Sequence, residues 1–379
     1  MRSIPARRDA EANRANAERA VEGARAIFRQ DRLGPRGPAY LTLAAPRPMT
    51  DAPHFARPEE VRLSSSTVPS ADERARLRAT LTRAVPEIPP VYFYDDRGSE
   101  LFEQITRLAV YYQTRTEIGI LERASDAIMR DLRPRHVVEL GSGAGRKIRL
   151  LLDAWQAVGR GETCTMLDVN ALFLEASIAR LRADYPGYAF RGIVGDFTND
   201  LAMIGHGGAR LVVFFAGTIG NLYPREQRAF FADLARHMAP SDALLIGVDL
   251  VKDPARLEAA YDDPEGVTAE FNKNALRVLN RRFGADFEPA AFAHRALYDA
   301  ENAWIEMRLV ASHRMSVHVS AIDLNLDLDE GAEIRTEVSC KFTRASLEAS
   351  AAAGGLAAAA WHTDPEQLFA LALLRRSDA

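Results

Sequence analysis

Between residues 136 and 249, short apolar runs alternate with amphipathic stretches of helical length, and few folds accommodate that rhythm. Strands are expected at 136–140 (His-Val-Val-Glu-Leu), 163–168, 189–194, 210–216 and 242–249, with helices over 146–157, 171–184 and 225–237. Parallel strands joined through helices are covered on both faces, because each crossover lays a helix against the sheet. This stretch is therefore read as a doubly wound, mostly parallel α/β sheet.

The flanks follow other rhythms. Leu77, Leu81 and Val85 recur at helical spacing over 71–83, and Pro86 with Pro89-Pro90 stops that helix. A second helix is expected to begin around Gly98, with Leu101, Phe102, Ile105 and Leu108 on one face. The pair Tyr111-Tyr112 precedes Thr114-Arg-Thr-Glu117, read as a capping box that opens a helix running to about Asp131. After Leu250, helices near 254–262 and 267–282 give way to segments of period two at 291–298, 303–310, 314–322 and 333–341. Successive strands of this kind do not extend a parallel sheet, so a separate α+β insert is expected. The tail returns to a helix near 344–352 and strands near 357–362 and 367–374, an antiparallel pair that fits the edge of the first sheet.

A length of 379 residues leaves room for two domains. Hydrophobic residues at 47% and charged residues at 26% exclude wholesale disorder and fibrous repeats. The net charge of -4 supplies no pull toward phosphate backbones or anionic lipid, so a small molecule, rather than nucleic acid or membrane, is the expected partner. Cys164 and Cys340 are the two cysteines; being far apart, they read as packed thiols of a reducing compartment, the cytoplasm. No apolar run is long enough to span a bilayer. Residues 1–66 are Arg-rich to Arg36 and then Pro-rich, ending in Ser64-Ser-Ser66. They are expected to form a mobile leader with at most a short helix near Ala10–Phe28, and Met49 offers an alternative start.

The sharpest local motif is Glu139-Leu-Gly-Ser-Gly-Ala-Gly145-Arg-Lys147, between the first strand and the next helix. Glycines such as Gly141 and Gly143 let backbone approach a ligand, and the helix start offers free amides. Asp168, at the end of the second strand, is placed to accept both hydroxyls of a ribose; taken alone it also reads as a helix N-cap. The loop spacing is Gly-x-Gly-x-Gly rather than the Gly-x-Gly-x-x-Gly of dinucleotide sites, and Glu139 precedes it. That favours S-adenosylmethionine, which has no pyrophosphate. In Gly195-Asp196-Phe197, after the third strand, a carboxylate can meet an adenine amino group and an aromatic ring can pack the base, although Asp196 alone also reads as a turn former.

Four longer segments add a resemblance. Tyr94-Asp-Asp-Arg-Gly-Ser-Glu-Leu-Phe-Glu-Gln-Ile-Thr106, Tyr111-Tyr-Gln-Thr-Arg-Thr-Glu117, Thr218-Ile-Gly-Asn-Leu222 and Thr336-Glu-Val-Ser-Cys-Lys-Phe342 resemble the histidine-specific methyltransferases of ergothioneine biosynthesis, from about residue 70 onward. Departures are Ala109-Val110, where the family often carries a proline and an acid, and Gln113 in place of a proline. The resemblance implies a class I, Rossmann-like methyltransferase domain (115–251 plus 341–379) interrupted by a substrate-binding α+β domain (67–114 plus 252–340). It also implies that Tyr111, Asn221 and Tyr261 grip a substrate carboxylate, and that Glu337 and Ser339 hold an imidazole beside an apolar wall at Met307. Tyr94 would lie near both amine and sulfonium, and Lys147 would join Gly141, Gly143, Asp168, Asp196 and Phe197 at the cofactor. Independently of any family, strand alternation puts Glu337 and Ser339 on one face.

The implied activity is Nα-methylation of L-histidine, with the trimethylated product hercynine as the family's outcome and a monomer as the expected form. Methyl transfer from a sulfonium requires alignment of a neutral amine rather than a metal or covalent nucleophile. A neighbouring sulfonium favours that neutral form, and water would take the proton. The eight histidines form no ligand cluster, and His313 and His318 fall on opposite faces of an expected strand. Three alternatives stand beside this reading. An N-methyltransferase of an indole-bearing amino acid would not need Glu337 and Ser339. A nicotinamide-dependent oxidoreductase would use different glycine spacing. A non-catalytic binding protein would keep only the cofactor pocket.

Overall fold

The computed structural model describes residues 69–378, so the leader read at 1–66, its helix near Ala10–Phe28 and the alternative start at Met49 lie outside the described residues. The chain opens with α1 (Ala71–Leu81), α2 (Asp96–Ile105) and α3 (Gln113–Leu132). The alternation that follows comprises β1 (His136–Leu140), α4 (Arg146–Val158), β2 (Thr163–Asp168), α5 (Ala171–Asp184), β3 (Ala189–Val194), β4 (Arg210–Phe214), α6 (Pro224–His237) and β5 (Ala243–Asp249). Next come α7 (Pro254–Tyr261), α8 (Val267–Phe283) and strands β6 (Phe292–Asp299), β7 (Trp304–Ala311), β8 (Met315–Val319), β9 (Leu324–Leu328) and β10 (Glu333–Cys340). The chain closes with α9 (Arg344–Ala353), β11 (Leu356–Thr363) and β12 (Phe369–Arg376).

The expected doubly wound sheet is present, with strand order β11-β12-β5-β4-β1-β2-β3. The strands from β3 to β5 pair in parallel, and β12 joins β5 antiparallel as the expected closing pair. Central strands β4 and β5 are buried at every position, which is why they read as unbroken apolar runs. Strand alternation splits their side chains between two cores: Leu211 and Val213 pack with α3, α4 and α5, whereas Val212 and Phe214 pack with α6 and α9. Because β1 lies between β2 and β4, strand order reverses there. That opens a crevice at the carboxyl ends of β1 and β4, the ligand position in such sheets.

A second region holds a three-stranded antiparallel sheet, β10-β7-β6, and the hairpin β8-β9. A third apolar cluster gathers Leu77 and Leu81 of α1, Ile105 of α2 and Leu276 and Leu279 of α8 against Ile305, Met307 and Leu309 of β7. The β10–β7 register pairs Glu337 with Met307 and Ser339 with Ile305, and shifts between Arg335 and Glu337.

Local expectations failed in three places. The segment 314–322 forms β8 and a single turn at Ser320–Ile322, and an unforeseen strand, β9, follows it; His313 lies in the bend before β8, so the opposite-face argument does not apply to it. Strand β4 ends at Phe214 instead of residue 216, because Ala216 takes the left-handed φ of 66°. Thr114 and Glu117 make no capping box: α3 starts at Gln113, and the Glu117 side chain turns inward to tertiary partners. Among the described residues no helix is long and apolar enough to cross a membrane.

The start of α2 depends on Gly98. Its amide donates to the Asp95 side chain at 2.8 Å, and a Cβ placed on it would lie 1.6 Å from the Phe93 carbonyl oxygen. Relief would require backbone movement. Gly98→Ala is expected to cost about 2–3 kcal/mol, measured as a lower thermal midpoint; an unchanged midpoint would show that the turn before α2 yields freely.

Candidate active site

The crevice is a cavity of about 210 Å³. One end is the loop after β1, where Gly141 and Gly143 have φ of 69° and 49°, values that an L side chain rarely adopts. A Cβ on either would meet no heavy atom within 4 Å, so the loop faces open space. The Gly143 amide donates to Asp168 Oδ2 and the Asn170 amide to Oδ1, each at 2.9 Å, which binds the two cofactor motifs into one unit. Burial still raises the Asp168 pKa above the ordinary carboxylate value. Asn170, not Asp168, caps α5, accepting the Phe173 amide at 3.0 Å.

Lys147, in the first turn of α4, lies 2.5 Å from Glu117, whose side chain is 0% exposed. Glu117 also accepts the Ala216 amide at 2.9 Å, so this carboxylate joins α3 and the glycine-loop helix to the strained turn after β4. Glu139 is buried with Oε2 unpartnered, and burial pushes its pKa well up. Phe197 lines the cavity and packs edge-on to Phe214 with ring centroids 4.8 Å apart. Asp196 does not line it. Its carboxylate accepts Thr198 N–H at 2.8 Å and O–H at 2.7 Å, and Asn199 Nδ2 at 3.0 Å, which is the bonding of a turn former.

The other end of the cavity brings together Tyr94, Tyr111, Asn221, Tyr261, Met307, Glu337 and Ser339, residues drawn from both regions. Tyr94 stands between the ends: burial raises its pKa, and the negative fields of Glu337 and Asp168 push the same way. Its ring packs against Phe102 and Phe271, with centroids 5.8 and 5.7 Å away. Tyr111 is buried among Tyr261, Tyr94 and Glu337. Asn221 leaves a short turn after β4, donates from Nδ2 to Val338 O at 2.9 Å and lies beside Glu337. Burial lifts the Glu337 pKa to about 7, opposed by Asn221 and by the Lys341 charge.

Sequence reasoning missed the hydrogen-bonded base of this pocket. Lys341 Nζ contacts Ser339 Oγ at 2.8 Å, Tyr261 Oη at 2.9 Å and Asp249 Oδ2 at 3.0 Å. Lys252 Nζ lies 2.5 Å from Asp249 Oδ1, and Tyr112 donates to the same oxygen at 2.8 Å. The period-two argument that paired Glu337 with Ser339 extends to Lys341 and was the available signal. The Tyr261 and Ser339 hydroxyls, assigned to opposite ends of a substrate, are in fact 2.7 Å apart. Among the described residues no group of three or more His, Cys, Asp or Glu could hold a metal ion.

The Glu337 pKa makes stability depend on pH with a definite sign. Raised from 4.5 to about 7 in the folded chain, this carboxyl leaves stability full below pH 4.5 and diminishes it as pH rises to about 7, by about 3 kcal/mol in all. Glu337→Gln is therefore expected to melt above the wild type at pH 8, with the gap closing toward pH 5. Parallel melting curves across that range would contradict a dry carboxyl.

Known proteins resemble this chain over most of its described length. A family model described as histidine-specific, SAM-dependent methyltransferase matches residues 73–376. The histidine N-alpha-methyltransferase of Mycobacterium tuberculosis is 46% identical over 293 residues, covering 77% of this chain and 91% of the relative. Its namesake in Mycolicibacterium smegmatis is 46% identical over 303 residues, covering 80% and 94%. Ergothioneine biosynthesis protein 1 of Schizosaccharomyces pombe is 31% identical over 61% of this chain and 31% of its own length. The chain belongs to the family of histidine-specific, S-adenosylmethionine-dependent methyltransferases.

Proposed function

We propose that this chain methylates the α-amino nitrogen of L-histidine in ergothioneine biosynthesis, carrying it to trimethylated hercynine. The observation that carries the reading is a single cavity with the glycine loop and Asp168 at one end and Glu337 with Ser339 at the other.

The residues present fit S-adenosylmethionine: the loop at Gly141 and Gly143 opens onto space, and the buried Glu139 carboxyl has an oxygen without a partner. When bound, that cofactor supplies an electrophilic methyl on a sulfonium. Asp168 would meet ribose hydroxyls, Phe197 would pack the base, and Lys147 would add positive charge at the loop. Asp196 would meet the adenine amino group: its carboxylate braces its own turn through Thr198 and Asn199 but keeps room for a further donor, and its neighbours Gly195 and Phe197 line the cavity.

On the substrate side, Tyr111 and Asn221 would hold the carboxylate, Tyr94 would orient the amine, and Met307 would flank the ring. Glu337 in its ionised form would accept the ring N–H. An analogue lacking that group leaves a buried carboxylate unpaired, a discrimination that reaches on the order of 10⁴ in sites of this kind. The corresponding division of labour assigns residues 67–114 with 252–340 to substrate and residues 115–251 with 341–379 to the methyl donor. Separate apolar clusters in the two regions support it. One chain carries every residue used here, so a monomer suffices, and two buried free cysteines suit the cytoplasm.

Mass spectrometry of histidine incubated with the protein and S-adenosylmethionine is expected to show mass gains of whole methyl groups. Glu337→Ala is expected to lower kcat/KM for histidine by about 100-fold or more, with cofactor affinity retained. Unchanged turnover in that variant would remove Glu337 from ring recognition.

A further inference from the structure

Lys341 is fully buried, follows the last residue of β10 and has no role assigned to it above beyond its contacts. An ammonium carries three hydrogens and no lone pair. Here those hydrogens face three acceptors: Tyr261 Oη, Ser339 Oγ and Asp249 Oδ2. Both hydroxyl oxygens are therefore acceptors toward Lys341. Tyr261 and Ser339 also lie 2.7 Å apart, so one hydroxyl hydrogen bridges them and only one remains for the cavity. A phenol is a stronger donor and weaker acceptor than an aliphatic alcohol, which gives the bridge to Tyr261 and leaves the Ser339 hydrogen free.

We propose that Lys341 is a positioning residue that sets the direction of this hydrogen-bond chain, so that Ser339 donates to the lone-pair nitrogen of the substrate ring while Glu337 accepts its N–H. The inference rests on the histidine reading and deepens it. The pocket then presents one donor and one acceptor, a pattern that a neutral imidazole matches in full. An indole or pyrrole offers N–H alone and leaves the Ser339 hydrogen unpaired; a phenyl ring satisfies neither group. Under this assignment Tyr261 acts through Ser339 and gives no hydrogen to the substrate carboxylate.

Lys341 has a second, electrostatic effect. Glu337 faces Lys341 beyond its own strand, Asn221 from the turn after β4, Tyr94 and Tyr111 from the segments before α2 and α3, and Tyr261 from α7. Lys341 is the cation among these, while Asp249 and Lys252 lie behind it. Its charge favours the accepting form of Glu337. Removing it should move the acid limb of histidine kcat/KM to higher pH, a change that a purely structural role for Lys341 would not cause.

The test uses the full chain with S-adenosylmethionine. Lys341→Met is expected to raise KM for histidine about ten- to hundredfold, to shift the acid limb upward and to leave cofactor affinity unchanged. Ser339→Ala and the double variant complete a cycle in which the two losses do not add, because one acts through the other. Wild-type enzyme is also titrated with a pyrrole analogue of histidine that keeps the N–H and replaces the lone-pair nitrogen by CH; about tenfold or greater weakening is expected. This arm decides the matter even if Lys341→Met does not fold. Failure of the wild type to methylate histidine would overturn the functional reading itself. Histidine methylation with an unchanged KM and pH limb in Lys341→Met, or with the pyrrole analogue binding as well as histidine, would overturn only the role of Lys341.

Discussion

One carboxylate, Asp249 at the carboxyl end of β5, holds together the parts from which this pocket is built. It is shared by Lys341 beyond β10, Lys252 on the way to α7, and Tyr112 at the start of α3. Burial by itself would raise its pKa, yet the two ammonium groups hold it below the ordinary carboxylate range. The same burial lowers Lys252 to about 8, whereas Asp249 and Tyr261 keep Lys341 charged. Interrupting a buried arrangement of this kind leaves an uncompensated charge and costs about 3–5 kcal/mol, so the elements it joins are fixed relative to one another.

Glu117 plays the corresponding part at the cofactor end. Its buried carboxylate meets Lys147 of the glycine-loop helix and the Ala216 amide, whose left-handed backbone shapes the turn that delivers Asn221. Each carboxylate anchors residues that line the cavity, Glu117 directly through Lys147 and Ala216, and Asp249 through Lys341, and both join elements distant in sequence. The cavity is thus held by charges that solvent does not screen. Glu337, with no fixed cation in direct contact, is left in the intermediate range where its charge responds to what binds.

The fold was largely legible. Periods of two and of 3.6 located nearly every element, because burial against a two-sided sheet imposes them on the residues themselves. Pairings of motif with neighbouring chemistry were less secure. Thr114 and Glu117 have the spacing of a capping box, but a partly buried ammonium and a strained amide compete for the carboxylate and win. Asp196 has the position of a base-reading acid, and its carboxylate also braces its own turn through Thr198 and Asn199, contacts that the motif alone does not reveal. Strand β9 was hidden because Leu324, Leu326 and Leu328 alternate with polar residues over only five positions.

By itself the sequence determined the doubly wound sheet, the glycine loop joined to Asp168, and the common face of Glu337 and Ser339, since each follows from residues within one element or two successive ones. Tertiary structure alone decided that Tyr261, Ser339, Lys341 and Asp249 form one hydrogen-bonded chain, and that Glu117 serves Lys147 instead of its own helix. The physical reason is that a hydrogen bond or ion pair buried away from water depends on which distant groups the fold brings within about 3 Å, and no local periodicity records that.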